Sequence, residues 1–383
     1  MPGTSFSTGN WTGYDSQTVT NPGSALTDFT LLIDIADLSS TWKGNVQADG
    51  GDIRVTTGAD SELPFDLINY ANDEGSPPTV TGLIRVKWSG SLASSGSQTV
   101  KVWAGYTGGT ATAYDDDDVS GYGADNAYNS DWDCFLPLAS DLNDRTSNGN
   151  DGTAQGSISA GGQTGKFGSA TNFDGSDDAV TWGSNNDDRF EYTDNFTISL
   201  WAKPDNYAQY DIALCDAQSQ GRGYRIWSRD SSSPKWYWEL NNDSESVQVA
   251  STTGINTSAW QMVTVSMATD DTCNIYINGS WENSSDLGAD MAYEHAYPYR
   301  PMIGAMPDDS SGLTFHRFYD GLMQDVQIHG TQRSAAWIAE EYAQTNDNSG
   351  FWGEWSWTAQ GAASAAPTGN LAGPLAGPFA GVL

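Results

Sequence analysis

Carboxylates are the reactive groups this chain has in quantity, with 49 Asp and Glu against 16 Lys and Arg and three His. Glycoside hydrolysis needs two carboxyl groups flanking one sugar linkage. On a strand, that means closely spaced Glu and Asp in alternating register. Glu239 lies in Trp-Tyr-Trp-Glu-Leu at 236–240 without such a partner, and Glu282 and Glu294 stand alone in loop segments. A Ser-His-Asp triad assembles across a fold, so spacing does not decide it. No Gly-x-Ser-x-Gly elbow occurs, however, and His295, His316 and His329 read as surface or strand-end histidines. Cys134, Cys215 and Cys273 show no zinc spacing, and three thiols cannot all pair. Cys273 alternates with Ile275 and Ile277, as a buried free thiol would. The chain reads as non-enzymatic.

The formal charge of −33 repels phosphate backbones, which argues against nucleic-acid binding. It attracts cations, and two readings fit: solubility, or a divalent-cation role. Asp115-Asp116-Asp117-Asp118 reads as a solvated loop. As a calcium loop it lacks the alternating ligands, central Gly and terminal Glu of an EF-hand. No apolar run is long enough to span a bilayer, so membrane insertion is not expected. Met1-Pro2-Gly3-Thr4 lacks the basic start and apolar core of a secretion signal. That suits a particle released by lysis, or a chain whose signal was removed.

Strands must position whatever chemistry there is. Phe29, Leu31, Ile33 and Ile35 alternate with Thr30, Leu32, Asp34 and Ala36. Ile84, Val86 and Trp88, then Val100, Val102 and Ala104, follow the same period of two, the mark of half-buried strands. Phe196, Ile198 and Leu200 repeat it later, and Asn278-Gly279 supplies a type I′ hairpin turn. A short helix follows residue 330, with Ser334 as N-cap and Trp337, Ile338 and Tyr342 on one side. The fold class expected is all-β: two tandem antiparallel β-sandwich, jelly-roll-like domains and an extended C-terminal tail. The divisions fall at 1–110, an acidic connector at 111–131, a second sandwich at 132–345 and a Gly/Ala/Pro-rich tail at 346–383, uncharged from Trp355 onward.

Leu-Thr-Asp-Phe at 26–29, Gly-Gly-Asp-Ile-Arg-Val-Thr at 50–56, Glu-Leu-Pro-Phe-Asp at 62–66 and Val-Lys-Val-Trp-Ala-Gly-Tyr at 100–106 resemble the β-sandwich family named domain of unknown function 2341. Four segments give the second unit its resemblance to the laminin-G-like, concanavalin A-like lectin jelly roll. They are Asp-Leu-Asn-Asp-Arg-Thr-Ser-Asn-Gly-Asn-Asp-Gly-Thr at 141–153, Gly-Lys-Phe-Gly-Ser-Ala-Thr-Asn-Phe-Asp-Gly-Ser-Asp-Asp-Ala-Val at 165–180, Asn-Ile-Tyr-Ile-Asn-Gly-Ser-Trp at 274–281 and Asp-Gly-Leu-Met-Gln-Asp-Val-Gln-Ile-His at 320–329. This resemblance implies two packed sheets, one of them able to bind glycans or protein partners. It also implies a structural calcium near the closing strand, carried over to Asp325 and to Asp178, where turn-capping is the competing reading. Tyr207, Tyr210, Arg222, Trp236 and Trp238 fall in segments that could border the binding sheet, although a strand Trp is more often core.

Leu-Ala-Gly-Pro-Leu-Ala-Gly-Pro-Phe-Ala-Gly at 371–381 reads as low complexity, or as an extended peptide docking on a neighbouring subunit. Together these features suggest a virion-surface structural protein, a bacteriophage decoration, fibre or tail component. It would be oligomeric or assembled, with other virion subunits and host-surface glycans as partners. The alternatives are an extracellular bacterial cell-surface adhesin and a polysaccharide-degrading glycosidase. A shell protein without ligand is a further one.

Overall fold

The computed structural model describes residues 3–360 except 22–24, 28, 89, 95, 115–120, 183–189, 193, 208–209, 218–222, 230–231, 242–245, 288–300 and 308–313. Asp115–Asp118, Arg222, Glu294, His295 and the 371–381 repeat therefore lie outside the described residues.

The chain is all-β, built of antiparallel sheets. In the first unit, Trp11–Thr20 and Ser97–Tyr106 pair through most of their length, and Arg54–Thr57 joins the latter. Val100, Val102 and Ala104 point into the core as the period of two predicts. The opposing sheet runs Thr30–Asp34, Val80–Lys87, Phe65–Asn72. Thr30, Leu31, Leu32 and Ile33 are all buried, so this strand is not half-exposed as its alternation suggested. The cause is tertiary. The helices Ala335–Asn346 and Asn348–Trp352 lie along its free edge. The Gln344 Oε1 accepts from the Leu32 amide at 2.8 Å. Asn348 Nδ2 and Trp352 Nε1 donate to the Leu32 carbonyl at 2.9 and 2.7 Å. Side-chain amides thus complete a sheet edge that would otherwise offer unpaired backbone groups.

The second unit stacks an eight-stranded sheet on a seven-stranded one. Phe196–Pro204 is the centre of the larger sheet, between Gln261–Met267 and Asp320–His329. The smaller sheet ends in the run Ile212–Ala217, Gly223–Arg229, Lys235–Asn241, Ser246–Gly254. Ile198, Leu200, Ile226, Trp238, Val263 and Ile328 share the core between the layers. Asn278 and Gly279 both have positive φ, at 52° and 74°, as the hairpin turn requires. Ser334 caps its helix by accepting from the Trp337 amide at 3.2 Å.

Two expectations are corrected here. The tail does not begin at residue 346. The chain continues there as the helix Asn348–Trp352, capped by Asp347, and the strand Ser356–Ala359, which pairs with Trp11–Thr20 at the edge of the first sheet. Buried Trp352 and Trp355 anchor this return. Asp325 is not placed to hold calcium. It sits inside the Asp320–His329 strand with φ of 55°, 3% exposed, where Arg85 Nη2 donates to its Oδ2 at 2.6 Å and Gln327 Nε2 to its Oδ1. Burial pushes this carboxyl above the usual range while Arg85 pulls it back. Arg85 also pairs with Glu341 at 2.9 Å. The two units therefore meet through a sealed ion triad, surrounded by one continuous apolar cluster that includes Ile84, Phe135, Trp201 and Trp337. Among the described residues, no helix is long and apolar enough to cross a membrane.

Candidate functional site

Strand alternation gives the seven-stranded sheet two unlike faces. Tyr224, Ile226, Trp236, Trp238 and Leu240 fill the inter-sheet core and are almost wholly buried. Trp236 and Trp238 are thus core side chains, which corrects their assignment to a sugar platform. Trp236 Nε1 spends its proton on Gln261 Oε1 at 3.2 Å. The alternate residues Arg225, Trp227 and Arg229, with Lys235, Tyr237 and Glu239, take the other face. In the register Trp227 lies opposite Tyr237, Arg225 opposite Glu239, and Arg229 opposite Lys235.

Three rings form a ridge across this face. Tyr210 stacks on Trp227 with centroids 5.1 Å apart and planes at 27°. Trp227 stacks on Tyr237 at 4.7 Å and 26°. Trp227, 2% exposed, is the covered middle ring, while Tyr210 and Tyr237 are half-buried. Ile212, Cys215, Met302 and Met306 pack beneath and beside it. Cationic groups approach each ring: Arg317 at 4.8 Å from Tyr210, Arg225 at 5.8 Å from Trp227, and Arg229 at 5.9 Å from Tyr237. Such contacts are attractive because the ring face carries negative quadrupolar charge.

The backbone is strained at the ridge. Tyr210 has φ of 77° and Arg317 of 58°, values that cost an ordinary side chain roughly 1–3 kcal/mol. Two backbone bonds hold them there. The Tyr210 amide donates to the Ser228 carbonyl at 3.2 Å, and the Ile212 amide to the Arg317 carbonyl at 3.1 Å. Strain that surrounding structure maintains in this way clusters at binding sites.

Next to the ridge runs a polar row. Arg225 Nη2 donates to Glu239 Oε1, and Gln248 Nε2 donates to Glu239 Oε2 at 2.9 Å. Glu239 is 4% exposed with both oxygens engaged. The partnered strands supply no second carboxylate on this face: Asp216 lies opposite Tyr224, a core residue, and so faces inward. The Cys215 thiol, its proton directed to the Ala305 carbonyl at 3.3 Å, is pushed up to about 12 by burial. That thiol is not a nucleophile at neutral pH.

The other expected residues are placed as follows. Tyr207 is exposed, and no ring contact among the described residues joins it to the ridge. Asp178 shares a turn with Asp174 and Asp177, their ligand oxygens within 4.8 Å of one another. Asp178 Oδ1 accepts from the Ser157 amide at 2.9 Å and Oδ2 from the Asp174 amide at 3.2 Å, which is the turn-capping geometry. Hydrogen bonds from the Ser176 and Asp177 amides hold the exposed Asp174 carboxyl below its usual range. Asp325 is not part of this group. Glu282 caps the Thr252 and Thr253 amides at 2.8 Å, and His329 is fully buried.

Sequence reasoning put forward one ridge residue, Tyr210, and missed Trp227, Tyr237 and the arginines. The signal was present. Within 235–241 the parity Trp-Trp-Leu is the more apolar and belongs inside, leaving Lys-Tyr-Glu for the other face.

Two packed antiparallel sheets with an aromatic ridge on one outer face make the second unit a β-sandwich. Residues 174–339 match the family described as the concanavalin A-like lectin/glucanases superfamily. Botulinum neurotoxin type X of Clostridium botulinum is 29% identical over 105 residues, 26% of this chain; the chain spans 8% of that toxin's length. Among solved structures, domain 4 of AbnA, a GH43 extracellular arabinanase from Geobacillus stearothermophilus in complex with arabinotriose, aligns with a TM-score of 0.42 at 16% identity. It covers 55% of this chain and 97% of that one. The binding domain of Paraclostridial Mosquitocidal Protein 1 aligns with a TM-score of 0.45 at 15% identity, covering 58% and 55%.

Proposed function

We propose that this protein is a non-catalytic glycan-binding protein whose site is the Tyr210–Trp227–Tyr237 ridge. The observation that carries the reading is the stack itself, three rings stacked in sequence and flanked by the Arg225–Glu239–Gln248 row. Aromatic faces cover the apolar C–H face of a sugar, and planar Arg and amide groups take its hydroxyls. A glycosidase would need a second carboxyl about 5–10 Å across the ligand. Glu239, saturated by Arg225 and Gln248, supports binding rather than proton transfer.

The setting we propose is a surface assembly, with the virion surface as the form that the acidity and the apolar tail suggest and a cell-surface adhesin as its alternative. Kinship of the first unit with the domain of unknown function 2341 belongs to the same proposal and is supported by its motifs. The calcium ion expected from the sequence would take Asp174, Asp177 and Asp178.

An immobilised glycan panel tests the reading. Retention of at least one oligosaccharide by the full chain, lost in Tyr237→Ala with the fold intact by circular dichroism, is expected. Steady release of shortened product would instead identify an enzyme.

A further inference from the structure

The charge balance of the ridge is the reverse of the charge balance of the molecule. Acidic residues outnumber basic ones 49 to 16 in the chain. On the face shared by Gly223–Arg229 and Lys235–Asn241, three cations, Arg225, Arg229 and Lys235, meet one carboxylate, Glu239. Arg225 already neutralises that carboxylate. Arg317 adds a further cation at the Tyr210 end. A chain under such acidic pressure has no general reason to gather guanidinium groups on one strand pair.

The cations also differ in what they are engaged with. Arg225 is turned inward, donating to Glu239 and, through Nη1, to Met306 Sδ at 3.5 Å. Arg229 is exposed, lies over the Tyr237 ring, and makes no ion pair among the described residues. A guanidinium carries a planar fork of donors, and an exposed one is free to bind a carboxylate in two parallel hydrogen bonds. Distant acidic residues weaken this little, because charges beyond about 8 Å are screened at physiological salt.

We infer that the ridge selects a carboxylated saccharide, a uronate or a sialic acid, with the exposed Arg229 beside Tyr237 reading the carboxylate. This rests on the ridge being the glycan site. Lys235, the cross-strand partner of Arg229, raises the local potential without fixing orientation.

The test is calorimetric titration of the full chain with two matched pairs: trigalacturonate against its methyl ester, and sialyllactose against lactose. The acidic member of one pair should bind at least about tenfold more tightly than its neutral counterpart, the size of one charge-assisted hydrogen bond. Which pair shows the difference tells uronate from sialic acid. The ratio should collapse in Arg229→Gln and persist in Lys166→Gln, whose ammonium lies by Trp201, a residue of the cluster between the units. Equal affinity within both pairs, or a ratio unmoved by Arg229→Gln, overturns the inference and leaves the ridge reading standing. No retention of any sugar on the wider panel sinks both.

Discussion

Arg85 and Arg225 are built from the same parts. Arg85 gives its two terminal guanidinium nitrogens to two carboxylates and Arg225 gives one to a single carboxylate, and each lies near an aromatic ring, Phe135 at 5.3 Å or Trp227 at 5.8 Å. Their surroundings differ. Arg85 joins Asp325 and Glu341 between the two units with no exposed side-chain surface, and Gln327 and Gln344 take up carboxylate oxygens. Arg225 keeps 16% of its side chain in water, beside a ridge whose outer rings are half open. Burial turns one constellation into a joint, and partial exposure leaves the other on an open face, where the proposed ligand surface lies. Residue type alone separates neither.

This contrast can be broken most readily at Arg85. Arg85→Met should cost about 3–5 kcal/mol in urea unfolding, since it strands two buried carboxylates, and Asp325→Asn with Glu341→Gln should restore much of the loss. A loss under about 1 kcal/mol would mean that water reaches the joint. Sugar binding by the folded fraction should be unchanged.

Next in size is a pH effect at His329, buried against Trp132 and Trp337. Burial first, then Arg333 and Arg85, hold its pKa well below 6.5. The unfolded chain takes up the proton below pH 6.5 and the folded chain does not, so the wild type loses stability as pH falls through that value. Relative to His329→Gln, it should lose up to about 2 kcal/mol between pH 6.5 and 5. Parallel melting curves across this range would refute the sealed joint on its other side.

Arg225→Gln should be milder, about 1–2 kcal/mol, because water can partly replace the guanidinium beside Glu239. Its larger consequence should be weaker glycan retention, from a loosened Trp227. The smallest effect is expected from calcium. A rise of a degree or two in melting temperature over chelator, absent in Asp177→Ala, checks the turn at 174–178, as roughly 1 kcal/mol moves a domain of this size by a few degrees.

Much of the architecture was legible beforehand because it is local. Alternation locates Ser97–Tyr106 and Phe196–Pro204, Asn278-Gly279 locates a hairpin, Ser334 locates a helix start, and the alternation of Cys273 with Ile275 and Ile277 matches its burial as a free thiol. Each depends on backbone geometry within a few residues. What lay beyond reach depends on the layer that comes to rest against a strand. Thr30 to Ile33 are buried on both faces because helices about 310 residues later bind the strand's edge and pack apolar side chains against it. Trp236 and Trp238 went inside and Tyr237 outside, as the more apolar parity of 235–241 indicates, but that Trp227 and Tyr210 come to rest beside Tyr237 is decided by the register of neighbouring strands. Asp325 found Arg85, 240 positions away, where sequence order suggested a cation. Period and turn chemistry are properties of the chain, whereas desolvation is a property of the assembled fold, and desolvation is what separates a joint from a site.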